Sequence, residues 1–323
     1  MKILFAAPEN AWGGFLEMIR ASVPEHQFYA TGGFHVETLA GYDVLIPTMT
    51  RITDAMLSSG DRLKLIQQCG SGLELVDIES ADKRDIWVAN VPTSISGNAD
   101  SVAEIGIYMM IGLSRNVREM TKNLIQRKMG QPQGRALFGR TVGLVGLGGI
   151  GRALIKRLKT FDVELVGIKR RDTEKAMQEL GLSWVGTPDE LPTLLKQSDF
   201  VMLCLPVTNE SSGLMNADTL KYMKKDAFLI NLSRGGLVDR KDLEDALASG
   251  QIAGAGLDVF WEEPPDPNDP VFHYNVMATP HIAGSTDNAM KGIVAHVAAN
   301  IRRIAEKKAP RYNFNNQRPP ADP

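Results

Sequence analysis

Three side chains that can bind or protonate a substrate, Arg234, Glu263 and His281, each follow a different short apolar run in the second half of the chain. Such runs predict buried parallel strands, whose carboxyl ends bind ligands in open α/β sheets. An arginine can hold a carbonyl oxygen and a carboxylate together, and a histidine can donate a proton near neutral pH. A glutamate can orient the histidine and stabilise its charged form. This set favours reduction of a 2-keto acid by hydride.

Each of these side chains also has an ordinary structural explanation. Arg234 can cap a turn, Glu263 can be a solvated loop acid, and His281 can be a hydrogen-bonded core histidine. Because all three follow strands of the same predicted sheet, we interpret them together as catalytic residues, with Arg234 and His281 also binding the substrate.

A glycine-rich loop joins the apolar run 141–145 to a predicted helix. The first glycine of a G-x-G-x-x-G pattern permits a tight turn, the second lets the backbone approach a pyrophosphate, and the third lets helix and strand pack closely. We therefore predict a dinucleotide site, which includes Gly146, Gly148, Gly149, Ile150 and Gly151. The alternative is a glycine-rich turn between two packed elements.

Three consecutive cations, Lys169, Arg170 and Arg171, end the next predicted strand. An acid that binds the ribose hydroxyls of NAD is expected about 20 residues after the glycine loop, but Asp172 comes later than that position. Cations there attract a 2′-phosphate. We therefore predict that NADPH is preferred and NADH is the second coenzyme, the alternative being a solvated charge run.

Composition limits the class of protein. The chain has 323 residues, with 36 Lys and Arg against 38 Asp and Glu and a net charge of −2. This length suggests two domains, and the charge balance makes nucleic acid an improbable partner. Cys69 and Cys204 lie in apolar runs, which favours reduced, buried thiols over a disulfide or a metal site. Because no apolar run in the sequence is long enough to span a membrane, we expect a soluble cytoplasmic protein that binds no membrane. We also expect no metal.

Short apolar runs alternate with helical patterns throughout the chain and predict two Rossmann-like, doubly wound α/β domains, each with a parallel sheet. The dinucleotide-binding domain is expected at 98–285, and a discontinuous substrate-binding domain at 1–97 plus 286–323, with the active site in the cleft between them. The predicted strands are 2–7, 42–47, 63–69, 87–90, 141–145, 163–169, 200–205, 227–232, 255–260 and 276–278.

A long helical pattern links the two predicted domains, from Asn98 to about Lys128. Apolar residues recur along it at spacings of three and four, and others widen the apolar surface. A helix that is apolar nearly all round suits a contact between domains or subunits, so we predict a homodimer. A simple core helix fits the pattern equally well.

Several motifs resemble those of the D-isomer-specific 2-hydroxyacid dehydrogenase family over almost the whole chain. Besides the glycine loop, they are Leu205-Pro-Val-Thr208, Ile230-Asn-Leu-Ser-Arg234-Gly-Gly, Asp258-Val-Phe-Trp-Glu-Glu263-Pro and Thr279-Pro-His281-Ile-Ala-Gly284. The resemblance implies the catalytic trio named above. It also implies coenzyme contacts from Thr208, Leu232, Ser233, Asp258 and Gly284, and binding of the substrate carboxylate by backbone N–H groups at Ser71 and Gly72.

The resemblance also guides the choice of substrate. Related enzymes that act on formate have Gln where Glu263 stands, and those that act on phosphite have Lys near Ser71, so both substrates are disfavoured. Departures at Glu74-Leu75 and Ile105 leave the subfamily open. We expect glyoxylate or hydroxypyruvate to be reduced to a D-2-hydroxy acid. The alternative is a corepressor-like module that binds the dinucleotide without significant turnover.

Overall fold

The chain forms two compact units. The computed structural model describes residues 1–315. Among the described residues, unit 1 comprises Met1–Asn98 and residues 285–315, and unit 2 comprises Ala99–Gly284. These divisions lie one residue from the two boundaries expected from the sequence. Residues 316–323, which the predicted first domain includes, lie outside the described residues.

Unit 1 is built on a five-stranded parallel sheet in the order β2-β1-β3-β4-β5. The edge strand β2 was not expected, because its side chains alternate between exposed and half-buried and form no apolar run. The strands are β1 Lys2–Phe5, β2 Gln27–Ala30, β3 Val44–Ile46, β4 Leu65–Gln67 and β5 Trp87–Ala89. The helices of this part are α1 Ala11–Ser22, α2 Asp54–Leu57 and α3 Ile78–Asp82.

Unit 2 has a seven-stranded, wholly parallel sheet in the order β12-β11-β10-β9-β6-β7-β8. Its strands are β6 Thr141–Val145, β7 Glu164–Ile168, β8 Trp184–Gly186, β9 Phe200–Leu203, β10 Phe228–Asn231, β11 Gly254–Leu257 and β12 Val276–Ala278. Its helices are α4 Asn98–Arg115, α5 Val117–Ile125, α6 Gly149–Leu158, α7 Thr173–Leu180, α8 Leu191–Gln197, α9 Ala217–Leu220 and α10 Arg240–Ala248. Strands β9, β10 and β11 are buried along their whole length, which explains why they are apolar apart from Asn231 at the end of β10.

Helix α11, Asp287–Ala305, returns the chain to unit 1. Val297 and Ile301 pack in the same apolar cluster as Ile3 and Phe5 of β1. The buried Asn300 donates from Nδ2 to Gln67 Oε1 over 2.7 Å, so the interior also contains a satisfied polar contact.

The predicted continuous helix from Asn98 to about Lys128 is wrong in one respect. Asn116 adopts a left-handed conformation with φ of 49° and separates α4 from α5, for which it is the N-cap. Within the single chain Tyr108 and Ile111 are 50% and 40% exposed and Met120 is 45% exposed, so these side chains are not buried by the chain itself. In residues 1–315, no helix is both long enough and apolar enough to cross a bilayer.

Candidate active site

The predicted catalytic side chains lie at the carboxyl edge of the seven-stranded sheet. Arg234 follows β10, Glu263 lies in the segment after β11, and His281 follows β12. These three strands are adjacent and parallel, so the topology brings the segments to one edge.

The ring of His281 is directly paired with Glu263. The Nδ1 atom of His281 and Oε2 of Glu263 are 2.7 Å apart. The second carboxylate oxygen, Oε1, accepts a hydrogen bond from the backbone N–H of Phe260 at 3.1 Å. The glutamate side chain is 21% exposed and the histidine 47%, so the carboxylate is held while the imidazole stays accessible.

This pairing shifts the pKa values of His281 and Glu263 in the directions that favour the ion pair. The hydrogen bond to Glu263 raises the pKa of His281 above its ordinary value, and partial burial and the charge of Arg234 oppose the rise. Burial alone would raise the pKa of Glu263, but the hydrogen bond and the charge of His281 hold it below its usual range. A protonated imidazole at neutral pH is therefore stabilised by the site.

Asp258 fixes the segment that carries the histidine. Its side chain is only 2% exposed and accepts from Thr279 Oγ1 at 2.6 Å, from the N–H of Ile282 at 3.0 Å and from the N–H of Ala283 at 3.2 Å. Burial raises the pKa of this carboxyl. These bonds hold the backbone at His281, whose φ of 52° is left-handed.

The arginine segment is fixed in the same way. Asn231, at the end of β10, donates from Nδ2 to the carbonyl of Arg234 at 2.7 Å and accepts from the N–H of Ser233 at 3.1 Å. Gly235 packs so tightly that a Cβ there would lie 2.0 Å from the carbonyl oxygen of Phe260. The arginine segment and the glutamate segment are therefore in direct backbone contact.

The glycine loop after β6 fits a dinucleotide. A Cβ on Gly146 would lie 2.7 Å from the carbonyl of Cys204, and one on Gly151 would lie 2.3 Å from the carbonyl of Gly146. By contrast, a Cβ on Gly148 would meet no atom within 4 Å. Two glycines are thus required by packing, while Gly148 leaves backbone open at the start of α6, where N–H groups suit a pyrophosphate. Gly149 and Ile150 form the first turn of that helix.

The remaining predicted coenzyme residues lie along the same edge of unit 2. Lys169 is half-buried after β7, and Arg170 and Arg171 are exposed. Thr208 follows β9 at a distance of a few residues, and Ser233 donates from Oγ to the carbonyl of Leu203 at 3.0 Å. Leu232 is buried beneath this edge, and Gly284 is the last residue of the unit.

The predicted substrate loop belongs to unit 1. Ser71 and Gly72 follow β4 at the carboxyl edge of the five-stranded sheet. Asn90, which follows β5, donates from Nδ2 to the carbonyl of Ser71 at 2.7 Å, and the N–H of Val91 donates to the carbonyl of Gly70 at 3.2 Å. The loop is thereby attached to the neighbouring strand end.

Supporting residues were missed by the sequence reasoning. Asn231 and Asn90 donate from their side chains to the backbone of the arginine segment and of the predicted substrate loop, Thr279 donates to the Asp258 carboxylate, and Gly235 permits the close contact described above. Their only signal in the sequence was a polar residue or a glycine within a few positions of a strand end.

A parallel sheet with a glycine loop and a polar carboxyl edge defines a dinucleotide-binding α/β protein. The family model for the D-isomer specific 2-hydroxyacid dehydrogenase NAD binding domain matches residues 107–283. The chain belongs to this family, and it is therefore an NAD(P)-dependent oxidoreductase.

Similar proteins extend this result beyond the coenzyme domain. A glyoxylate reductase from Thermococcus litoralis is 35% identical over 289 residues, covering 86% of this chain and 85% of the relative. A D-3-phosphoglycerate dehydrogenase from Methanocaldococcus jannaschii is 34% identical over 83% of this chain, which spans only 51% of that relative's length. The solved D-lactate dehydrogenase from Escherichia coli has a TM-score of 0.82 at 25% identity, covering 97% of this chain and 100% of its own.

Proposed function

We propose that the protein reduces a small 2-keto acid to a D-2-hydroxy acid, with NADPH preferred over NADH and with glyoxylate or hydroxypyruvate as the substrate. The proposal rests on one observation above the others. His281 is paired with Glu263 at 2.7 Å, at the sheet edge that also carries Arg234. This pair can hold a proton that a ketone needs when it accepts hydride.

Each residue of the trio has a separate role in this proposal. The bound coenzyme supplies the hydride. Arg234 binds the keto oxygen and the carboxylate, because its guanidinium offers two parallel donors and permanent charge. Glu263 binds Nδ1 of His281, so the other ring nitrogen, Nε2, is the proton donor. Ser71 and Gly72 contribute backbone N–H groups to the substrate carboxylate.

The preference for NADPH is supported by the cations after β7. The exposed Arg170 and Arg171 and the half-buried Lys169 offer positive charge where a carboxylate is usual in proteins that bind NAD. The homodimer remains a prediction, which the exposed Tyr108 and Ile111 on α4 support. The cytoplasmic location also remains a prediction.

Steady-state kinetics with both coenzymes tests the proposal. We expect loss of nicotinamide absorbance with glyoxylate or hydroxypyruvate, and a kcat/KM about tenfold higher with NADPH than with NADH, the effect of roughly one added charge-assisted interaction. A higher kcat/KM with NADH would show that the coenzyme assignment is wrong. If NADPH binds but no 2-keto acid in a panel is reduced, the corepressor-like module is the better description.

A further inference from the structure

A carboxylate that the proposed function does not use, Glu210, lies beside a predicted coenzyme residue. Thr208 donates from Oγ1 to Oε2 of Glu210 at 2.6 Å. The same turn is closed by Ser211, whose Oγ accepts from the N–H of Thr208 at 2.8 Å and donates to the carbonyl of Pro206 at 2.9 Å. Glu210 is exposed, but its carboxylate is oriented by an ordered turn.

This turn belongs to the strand next to the glycine loop. The chain leaves β9 through Cys204, whose carbonyl oxygen is the atom that a Cβ on Gly146 would approach to 2.7 Å. Strand β6 lies between β9 and β7, so the turn and the cations flank the glycine loop from opposite sides.

Glu210 interacts electrostatically with Arg170, one of the cations on the other side of the glycine loop. The hydrogen bond from Thr208 and, more weakly, the charge of Arg170 lower the pKa of the Glu210 carboxyl. The carboxylate is therefore ionised at neutral pH and lies within electrostatic range of one of the cations that the proposed function assigns to the 2′-phosphate.

We propose that Glu210 is a specificity-determining residue, which weakens binding of the 2′-phosphate and so keeps NADH usable as a second coenzyme. A phosphate monoester carries a charge of about −1.5 to −2 at neutral pH and is repelled by a carboxylate, whereas a ribose hydroxyl is not. The residue thus supplies, from the loop after β9, the acidic group that is missing at the end of β7. The inference rests on the proposed coenzyme site, but it does not depend on the identity of the substrate.

Binding of two nucleotide fragments tests this without turnover. Isothermal titration of adenosine 2′,5′-bisphosphate and of 5′-AMP separates the contribution of the 2′-phosphate from that of the rest of the nucleotide. Glu210→Gln removes the charge and keeps an oxygen that accepts from Thr208. We expect this variant to bind the bisphosphate about fivefold tighter and 5′-AMP within about twofold of the wild type, as one exposed charge–charge repulsion is lost.

Glu179→Gln is the matched control, because Glu179 is also a glutamate of unit 2 and pairs only loosely with Lys175 at 3.7 Å on α7. It is expected to leave both affinities unchanged. If Glu210→Gln changes the affinities for both fragments by the same factor, Glu210 only maintains the turn, and the inference is wrong. An unchanged or weaker bisphosphate affinity also overturns it.

The same titrations distinguish this failure from failure of the proposed function. Wild-type protein that binds neither fragment nor NADPH would refute both the coenzyme site and the role of Glu210. Wild-type protein that binds both fragments but reduces no 2-keto acid would refute only the proposed reaction, and the ratio of the two affinities would still decide the role of Glu210.

Discussion

The two halves of the carboxyl edge in unit 2 are built differently. After β10, β11 and β12, the segments carrying Arg234, Glu263 and His281 are held by hydrogen bonds to backbone and by a close backbone contact at Gly235. After β7, the cations are exposed or half-buried at the strand end. A group that transfers a proton has to be held at a defined distance, whereas a group that attracts a phosphate acts by charge and tolerates motion. We therefore expect changes in the first half to have the larger effects.

The largest effect is expected from His281→Gln. Loss of the proposed proton donor should lower kcat for the proposed reduction of glyoxylate by about 10²- to 10⁴-fold, the usual contribution of general acid catalysis. The dissociation constant of NADPH should change by no more than about twofold, since the glycine loop is untouched. Stopped-flow absorbance and fluorescence titration give the two values.

His273→Gln is a suitable control, because His273 is an exposed histidine in a short 3₁₀ turn of the same unit. It should keep the wild-type kcat. Near-normal kcat in His281→Gln would show that the two halves do not differ in the way described.

An intermediate effect is expected from the contact between the arginine and glutamate segments. Gly235→Ala places a Cβ against backbone of Phe260, whereas the nearest atom to a Cβ on Gly236 is Val207 Cγ2 at 3.5 Å, an ordinary contact. Gly235→Ala should therefore lower the free energy of unfolding by about 1–3 kcal/mol and also lower kcat/KM. Gly236→Ala should change the free energy of unfolding by less than about 0.5 kcal/mol. Urea unfolding measures both values. If the two variants lose the same free energy of unfolding, the close contact at Gly235 is not what limits the substitution.

Much of this arrangement could be predicted from the order of residues. Arg234, Glu263 and His281 each follow an apolar run, and parallel strands place such positions at one edge. The contacts that hold these three residues in place could not be predicted, since the contact at Gly235 depends on how two segments distant in sequence pack. The break at Asn116 was missed because a helical stripe continues across it and conceals the local left-handed conformation.

Two of the four edge strands, β2 and β8, were missed by the sequence reasoning, whereas the other two, β5 and β12, were predicted. Strand β2 has no buried residue, and β8 begins with the half-buried Trp184 and ends in a glycine, so neither stands out as an apolar run. Both are edge strands, where one side lacks a partner and burial is incomplete. The central strands were found because burial on both faces leaves an uninterrupted apolar sequence.

The pH dependence of reduction in wild type and Glu263→Gln tests the central claim most directly. In the proposed mechanism reduction requires protonated His281, so kcat/KM is expected to fall as pH rises through the pKa of that histidine, which Glu263 raises. Removing the carboxylate charge lowers that pKa, so the alkaline limb of the profile should move to lower pH, with little change in kcat/KM at pH values below the limb. An alkaline limb that stays in place, or moves to higher pH, would show that the Glu263–His281 pair does not hold the transferred proton.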